Sequence, residues 1–262
     1  MATMLKITSY GTGLPLVFIH GWGLNSGVWQ PCVEELQKQF QVITVDLPGF
    51  GLNVTYQISP YTLENIAASI ADIIEEPAVV IGWSLGGMIA TELACNHPNK
   101  IKGLITIAST PCFVEQDNWP GIKPDVLALF HRQLEEDTQK TINNFLKIQA
   151  MGSPHLRQDI KQLRDLIMQY PMPDKQTLDL SLQFLEREDQ REKLKDVTQP
   201  FLRMYGKLDG LVPKTVIDKV SVLASNSEVI VFDKASHAPF ISELAPFVDV
   251  LSLWIKQSFQ QK

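Results

Sequence analysis

Cysteine is scarce in these 262 residues, and the three present, Cys32, Cys95 and Cys112, stand far apart. Their number is odd, and none lies in a Cys-x-x-Cys or Cys/His spacing of the kind that holds zinc. A disulfide scaffold is thereby excluded, no metal is expected, and the thiols read as the reduced cysteines of a cytoplasmic protein. Long apolar runs are also missing: nothing approaches the roughly 18 consecutive residues a membrane-spanning helix requires. Residues 1–6 lack the charged-then-apolar build of a signal peptide, so a cytoplasmic location with no membrane partner is expected. Charge of one sign is not in excess. A formal net charge of −6 with 20% charged residues leaves no basic footprint for nucleic acid and is too modest for a disordered acidic chain. Repeats, linkers of low complexity and exposed zippers are absent too, which leaves one large domain, expected as a monomer.

What is present alternates. Residues 5–10 read as an edge strand before Gly11-Thr12-Gly13. Residues 16–19 form a buried strand running into His20-Gly21-Trp22-Gly23, and a helix is predicted over 29–40 from Val33, Leu36 and Phe40. A strand over 42–45 ends in Asp46-Leu47-Pro48-Gly49-Phe50-Gly51, and Thr62 caps a helix through Ile74. A strand at 79–81, its helix to His97-Pro98, and a strand at 104–108 follow. From 111 to 199 only helical patterns broken by proline and glycine remain, with no convincing strand. The rhythm resumes with strands at 201–205 and 228–232 and helices at 212–223 and 244–259. The fold class is therefore α/β, with a mostly parallel central sheet flanked by helices. Residues 1–110 and 200–262 form the core, and 111–199 an all-helical insert placed as a lid over the carboxyl ends of the strands.

The stretch that organises the chain is Val79-Val80-Ile81-Gly82-Trp83-Ser84-Leu85-Gly86-Gly87. A β-run, a Gly-x-Ser-x-Gly turn and a helix start are the context of a nucleophile elbow, which displays Ser84 on a strained turn. A serine needs a base, and a histidine base needs a carboxylate to steer it. Asp209, at the end of the strand 201–205, and His237, just past the strand 228–232, supply both in the chain order Ser, Asp, His. Read alone, Asp209 is a turn aspartate before Gly210 and His237 one loop histidine among five; three strand ends in the right order make a triad. His97, His131 and His155 read as structural or surface residues, and His20 as a brace for its loop. The oxyanion hole is assigned to the backbone N–H groups of Leu85 and Trp22. Trp22, Trp83 and Phe145 are expected to line an apolar acyl channel, with Phe113 packing in the core. The chemistry requires no cofactor.

Together these motifs resemble the α/β-hydrolase fold over essentially the whole chain. A narrower resemblance lies in His20-Gly21-Trp22-Gly23-Leu24-Asn25, Gly82-Trp83-Ser84-Leu85-Gly86-Gly87 and Ser109-Thr110-Pro111-Cys112-Phe113. It continues in Trp119-Pro120-Gly121-Ile122-Lys123-Pro124-Asp125-Val126-Leu127, Tyr205-Gly206-Lys207-Leu208-Asp209-Gly210-Leu211-Val212-Pro213 and His237-Ala238-Pro239-Phe240-Ile241-Ser242. This set is similar to the family of pimeloyl-[acyl-carrier protein] methyl ester esterases of biotin synthesis. The resemblance implies hydrolysis of a methyl ester on a carrier-bound pimeloyl chain, with an acyl-carrier protein as partner. It also implies substrate contacts at Trp22, Ser84, Leu85 and the lid run Phe145-Leu146-Lys147-Ile148-Gln149, beside Trp83 and His237. One departure is Leu52-Asn53-Val54 after Gly51, where relatives commonly carry Arg or Ser.

The insert adds a reading of its own. Over 156–167, Leu156, Ile160, Leu163 and Ile167 form an apolar stripe, and Arg157, Lys161 and Arg164 a basic one. Between residues 140 and 164 five cations, Lys140 and Lys147 included, face the single carboxylate of Asp159: a net of +4, leaving −10 on the rest. Either this is a solvated helix face, or Lys140, Arg157, Lys161 and Arg164 dock an acidic carrier protein. Within the same fold a general short-chain carboxylesterase or a C–C bond hydrolase would use the same triad. A catalytically silent binding module is the reading from another class, and the complete triad argues against it.

Overall fold

A seven-stranded sheet organises the computed structural model, which describes residues 4–259. Its strands are β1 (Ile7–Tyr10), β2 (Pro15–Ile19), β3 (Gln41–Val45), β4 (Ala78–Trp83), β5 (Ile101–Ile107), β6 (Phe201–Gly206) and β7 (Glu228–Phe232). The spatial order is β1-β3-β2-β4-β5-β6-β7. β1 pairs antiparallel with β3, and every other pair is parallel. Every residue of β2 and β4 is buried. That is why their sequences are continuous apolar runs, as expected of parallel strands covered on both faces.

The helices are α1 (Gln30–Leu36), α2 (Leu63–Ile73), α3 (Leu85–Asn96), α4 (Pro124–Glu136), α5 (Thr138–Ala150), α6 (Leu156–Ile167), α7 (Lys175–Arg187), α8 (Val216–Leu223), α9 (Pro239–Ser242) and α10 (Leu244–Phe259). α4 to α7 all lie between β5 and β6 in the chain. Thr62 caps α2 by accepting the Asn65 N–H at 3.2 Å; Asp137 and Asp174 cap α5 and α7 in the same way. Such caps are worth about 1 kcal/mol each. Where the helical segment leaves and rejoins the sheet, Gln190 N–H donates to Pro111 O at 2.7 Å. Beside it, Lys193 Nζ and Gln190 Nε2 hold the buried Glu92 carboxylate of α3 at 2.7 and 3.1 Å. Among the described residues no helix is long and apolar enough to cross a membrane.

Four local expectations change. The helix predicted over 29–40 is a 3-10 turn, Ser26–Trp29, followed by α1, which ends at Leu36. The helix expected from 212 begins at Val216, because the N–H groups of Leu211 and Val212 turn instead toward the Asp209 carboxylate. The stretch before α4 carries two isolated β-bridges, Val114↔Ile122 and Gln116↔Trp119, too short for periodicity to register. In α6, Leu156 is 40% exposed and Asp159 is buried, accepting a hydrogen bond from Ser153 Oγ at 2.6 Å. The inward face is thus rotated from the stripe read in the sequence.

Candidate active site

Ser84 follows β4 with φ 56° and ψ −120°, a left-handed conformation that a non-glycine residue adopts only under constraint. The constraint is visible around it. A Cβ on Gly82 would stand 2.1 Å from Gly86 O, and one on Gly86 would stand 2.4 and 2.6 Å from the carbonyl oxygens of Ile19 and His20. Only glycine lets strand, turn and α3 approach this closely. The turn is tied on both sides: Ser84 N–H donates to Ile107 O at 2.9 Å, and Ser109 Oγ donates to Ser84 O at 2.8 Å. Ser109 escaped sequence reasoning, although its place just past β5, the neighbour of β4, was a usable signal.

Asp209 follows β6 and His237 follows β7, so with Ser84 after β4 all three stand at the same sheet edge. His237 Nδ1 donates to Asp209 Oδ2 at 2.8 Å, while Asp209 Oδ1 accepts the N–H groups of Leu211 and Val212 at 2.8 and 3.0 Å. Because the carboxylate can only accept, the Nδ1 proton is fixed and Nε2 is left with its lone pair. Nε2 is buried and has no hydrogen-bond partner among the described residues. Trp83 lies against the histidine: its indole N–H donates to His237 O at 2.8 Å, and its ring packs among His237, Trp29 and Phe240.

The loop after β2 completes the arrangement. A Cβ on Gly21 would lie 3.2 Å from Ser84 Cβ and 3.3 Å from the Trp83 ring, which places Gly21 beside the serine. His20 braces it from behind. Its Nδ1 donates to Gly21 O at 2.8 Å, and its Nε2 accepts the Leu47 N–H at 3.0 Å. Burial depresses its pKa, the nearby Asp46 offsetting only part of that, so the ring is neutral in one tautomer. Asn53, at the departure noted after Gly51, joins the Asp46 loop to the N-terminal strand. Its side chain exchanges two hydrogen bonds with the Lys6 backbone and donates to Asp46 O at 2.7 Å.

The helices between β5 and β6 roof this edge. Trp22 Nε1 donates to Leu178 O of α7 at 3.0 Å, and the Trp22 ring meets Phe145 of α5 edge-on at 4.8 Å. At the far end of α5, Gln149 O accepts His237 N–H at 3.2 Å and Ser236 Oγ at 3.0 Å. Ser84 is consequently only 2% exposed. Five successive helical residues sweep more than a full turn, so the run 145–149 is divided. Phe145, Leu146 and Gln149 are buried, Ile148 is half-buried, and Lys147 is at the surface. Lys140, Arg157, Lys161 and Arg164 are all exposed and form no ion pair among the described residues. Phe113 is buried in the core. His131 bridges α4 to Asp179 of α7 at 2.8 Å, and His155 and His97 stand at helix ends. No group of three His, Cys, Asp or Glu side chains that could hold a metal occurs among the described residues.

A family model described as the alpha/beta hydrolase fold matches residues 15–244, and the chain belongs to that family. Within it, the chain is similar to the pimeloyl-[acyl-carrier protein] methyl ester esterase of Aeromonas hydrophila subsp. hydrophila, 43% identical over 96% of this chain and 99% of the relative. The enzyme of the same name from Salmonella typhimurium is 43% identical over 93% of this chain and 94% of its own length. Among solved structures, an esterase from Exiguobacterium antarcticum superposes with a TM-score of 0.86 at 24% identity, covering 96% of this chain and 95% of that one. A thermophilic esterase from Thermogutta terrifontis gives 0.80 at 23% identity, covering 97% and 93%. At those identities the structural likeness shows the fold.

Proposed function

We propose that the chain is a serine carboxylesterase that hydrolyses the methyl ester of a pimeloyl chain borne by acyl-carrier protein, as its relatives' names describe. The observation that carries the reaction class is the buried Asp209–His237 couple on the sheet edge that displays Ser84. His237 Nε2 takes the Ser84 proton as Oγ attacks the ester carbonyl, and the oxyanion forms against the N–H groups of Trp22 and Leu85. His237 then protonates the departing methanol and later takes a proton from the water that releases the acyl group. Asp209 holds the imidazole in one tautomer throughout, and no cofactor enters.

The segment 111–199 acts as a lid over the core formed by 1–110 and 200–262. With Ser84 only 2% exposed, the lid parts to admit the chain. Trp22, Phe145 and Gln149 form the roof of the acyl site. Lys140, Arg157, Lys161 and Arg164, exposed and unpaired on the lid, dock the acidic carrier and bring its tethered ester to the mouth. The enzyme works as a cytoplasmic monomer with no nucleic-acid partner.

The test is hydrolysis of methyl pimeloyl-carrier protein by wild type and by Ser84→Ala, with a p-nitrophenyl short-chain ester run in parallel. Ser84→Ala is expected to abolish both reactions. Salt should depress kcat/KM on the carrier-bound ester and leave the small ester unchanged; equal salt response would remove the docking face. Faster turnover of small esters than of the carrier-bound one would make the chain a general esterase.

A further inference from the structure

Gln149 is fully buried, yet neither Oε1 nor Nε2 of its carboxamide has a hydrogen-bond partner among the described residues. A buried polar group left unpaired is destabilising, and native folds keep few of them. The other amides with an unmatched buried atom, Gln190 and Gln199, are each bonded through the second polar atom of the same group. In Gln149 both donor and acceptor are unmatched, at one place in the fold. Its main-chain carbonyl accepts His237 N–H at 3.2 Å. Phe145, one turn earlier on the same face of α5, meets Trp22 at 4.8 Å. Gln149 thus lies on the inward face of α5, its backbone on His237 and its neighbour one turn away on Trp22, with its carboxamide buried. His237 Nε2, also buried, shares the unpartnered state.

We infer that the Gln149 carboxamide positions the water that attacks the acyl-enzyme, and so favours water over alcohols as the second nucleophile. This rests on the Ser84 acyl-enzyme proposed above. In the step, water donates one hydrogen to His237 Nε2 and the other to Gln149 Oε1, and a lone pair of the water oxygen is aimed at the acyl carbon. The carbon–oxygen bond forms as the first proton moves to His237, and the carbonyl oxygen takes up the negative charge. Collapse breaks the bond to Ser84 Oγ, which recovers the proton from His237, and the carboxylic acid leaves. Methanol has one hydroxyl hydrogen where water has two. With that hydrogen on His237, methanol has none left to donate to Gln149 Oε1 and gains nothing from the amide. The amide thus speeds attack by water and leaves alone the methanol transition state, which acylation by a methyl ester and its reverse share.

The variants are Gln149→Met, close in shape with no hydrogen bond, and Gln149→Leu. Rapid-mixing kinetics with p-nitrophenyl acetate separate acylation, read as the burst of nitrophenol, from deacylation, read as the steady rate. Both variants should keep burst rate and amplitude while the steady rate falls roughly tenfold, the worth of one hydrogen bond in the transition state. Acyl-Ser84 should accumulate by mass spectrometry, and the share of acyl groups captured by added methanol should rise about tenfold against water. Thermal unfolding should show both variants as stable as wild type or more so, since an unpaired amide has been removed. Burst and steady rate falling together, or an unchanged water-to-methanol partition, would overturn the inference and leave the triad standing. A wild-type enzyme that forms no acyl-Ser84 and that a fluorophosphonate leaves unlabelled would overturn the acyl-enzyme reading, and this inference with it.

Discussion

Replacing Trp83 by phenylalanine tests how the structure holds His237 and, with it, the proposed triad. The indole N–H donates to His237 O at 2.8 Å, and both residues are completely buried. Phenylalanine leaves that carbonyl without its donor, a loss of about 1–3 kcal/mol. It also removes the second ring from contact with Trp29 and Phe240, which adds about 1–2 kcal/mol for lost burial and the cavity left behind. The total, about 2–5 kcal/mol, is a large part of the roughly 5–15 kcal/mol by which a domain is stable. Urea unfolding should show it directly, and Tm should fall by about 5–15 °C. With the carbonyl released, the His237 loop shifts, and a displacement near 1 Å is enough for about a hundredfold loss in kcat. Trp254→Phe is the control. It loses a comparable indole bond, to Glu228 at 2.6 Å, on α10 and away from the site, so kcat should be unchanged. A Trp83→Phe enzyme that loses less than about 1 kcal/mol and keeps its kcat would refute the positioning argument.

Three further outcomes are expected. Asp209→Asn replaces an acceptor that fixes the His237 tautomer by an amide that can present a donor instead; kcat on a small ester should fall about 10⁴-fold with the fold intact by circular dichroism. Gly86→Ala drives a methyl group against the Ile19 and His20 carbonyls at 2.4 and 2.6 Å. It should lower stability by about 1–3 kcal/mol in urea and slow Ser84 labelling by a fluorophosphonate, because the loop after β2 is displaced. His20 is held neutral by burial, with its folded pKa below the ordinary value near 6.5. The unfolded chain therefore binds the extra proton first as pH falls. The stability His20 contributes is complete above that ordinary value and declines below it, toward the lowered folded pKa. Urea midpoints measured from pH 7.5 to 5 should show this acid slope in wild type, and His20→Asn should lack the part due to one proton.

The order of strands and helices was legible because it is written in local pattern. β2 and β4 are buried on both faces and read as apolar runs, and Thr62 announces α2 as its cap. The elbow was legible for the same reason: Gly82, Ser84 and Gly86 lie within five residues, and their spacing is itself the steric requirement. Asp209 and His237 could be ordered but not joined, since the 2.8 Å bond between them spans 28 residues and depends on β6 and β7 being neighbours. The inward turn of Asp159 and the exposure of Leu156 were hidden, because the face this helix buries is set by what it packs against. So was the late start of α8, because the N–H groups of Leu211 and Val212 before it are captured by Asp209.

The sequence by itself determined the α/β alternation, the Gly-x-Ser-x-Gly turn and the chain order of Ser84, Asp209 and His237. These are properties of residue type at short spacing, where sterics and periodicity act directly. Only the tertiary structure decided what holds His237, what covers Ser84, and which helix residue lies against His237. Trp83 grips His237 O across 154 residues, and Trp22 ties the loop after β2 to Leu178 across 156. Gln149 is brought to His237 by the packing of one helix on the sheet edge. Contacts at such separations leave no period in the chain; they exist only once the sheet has fixed where its carboxyl ends meet.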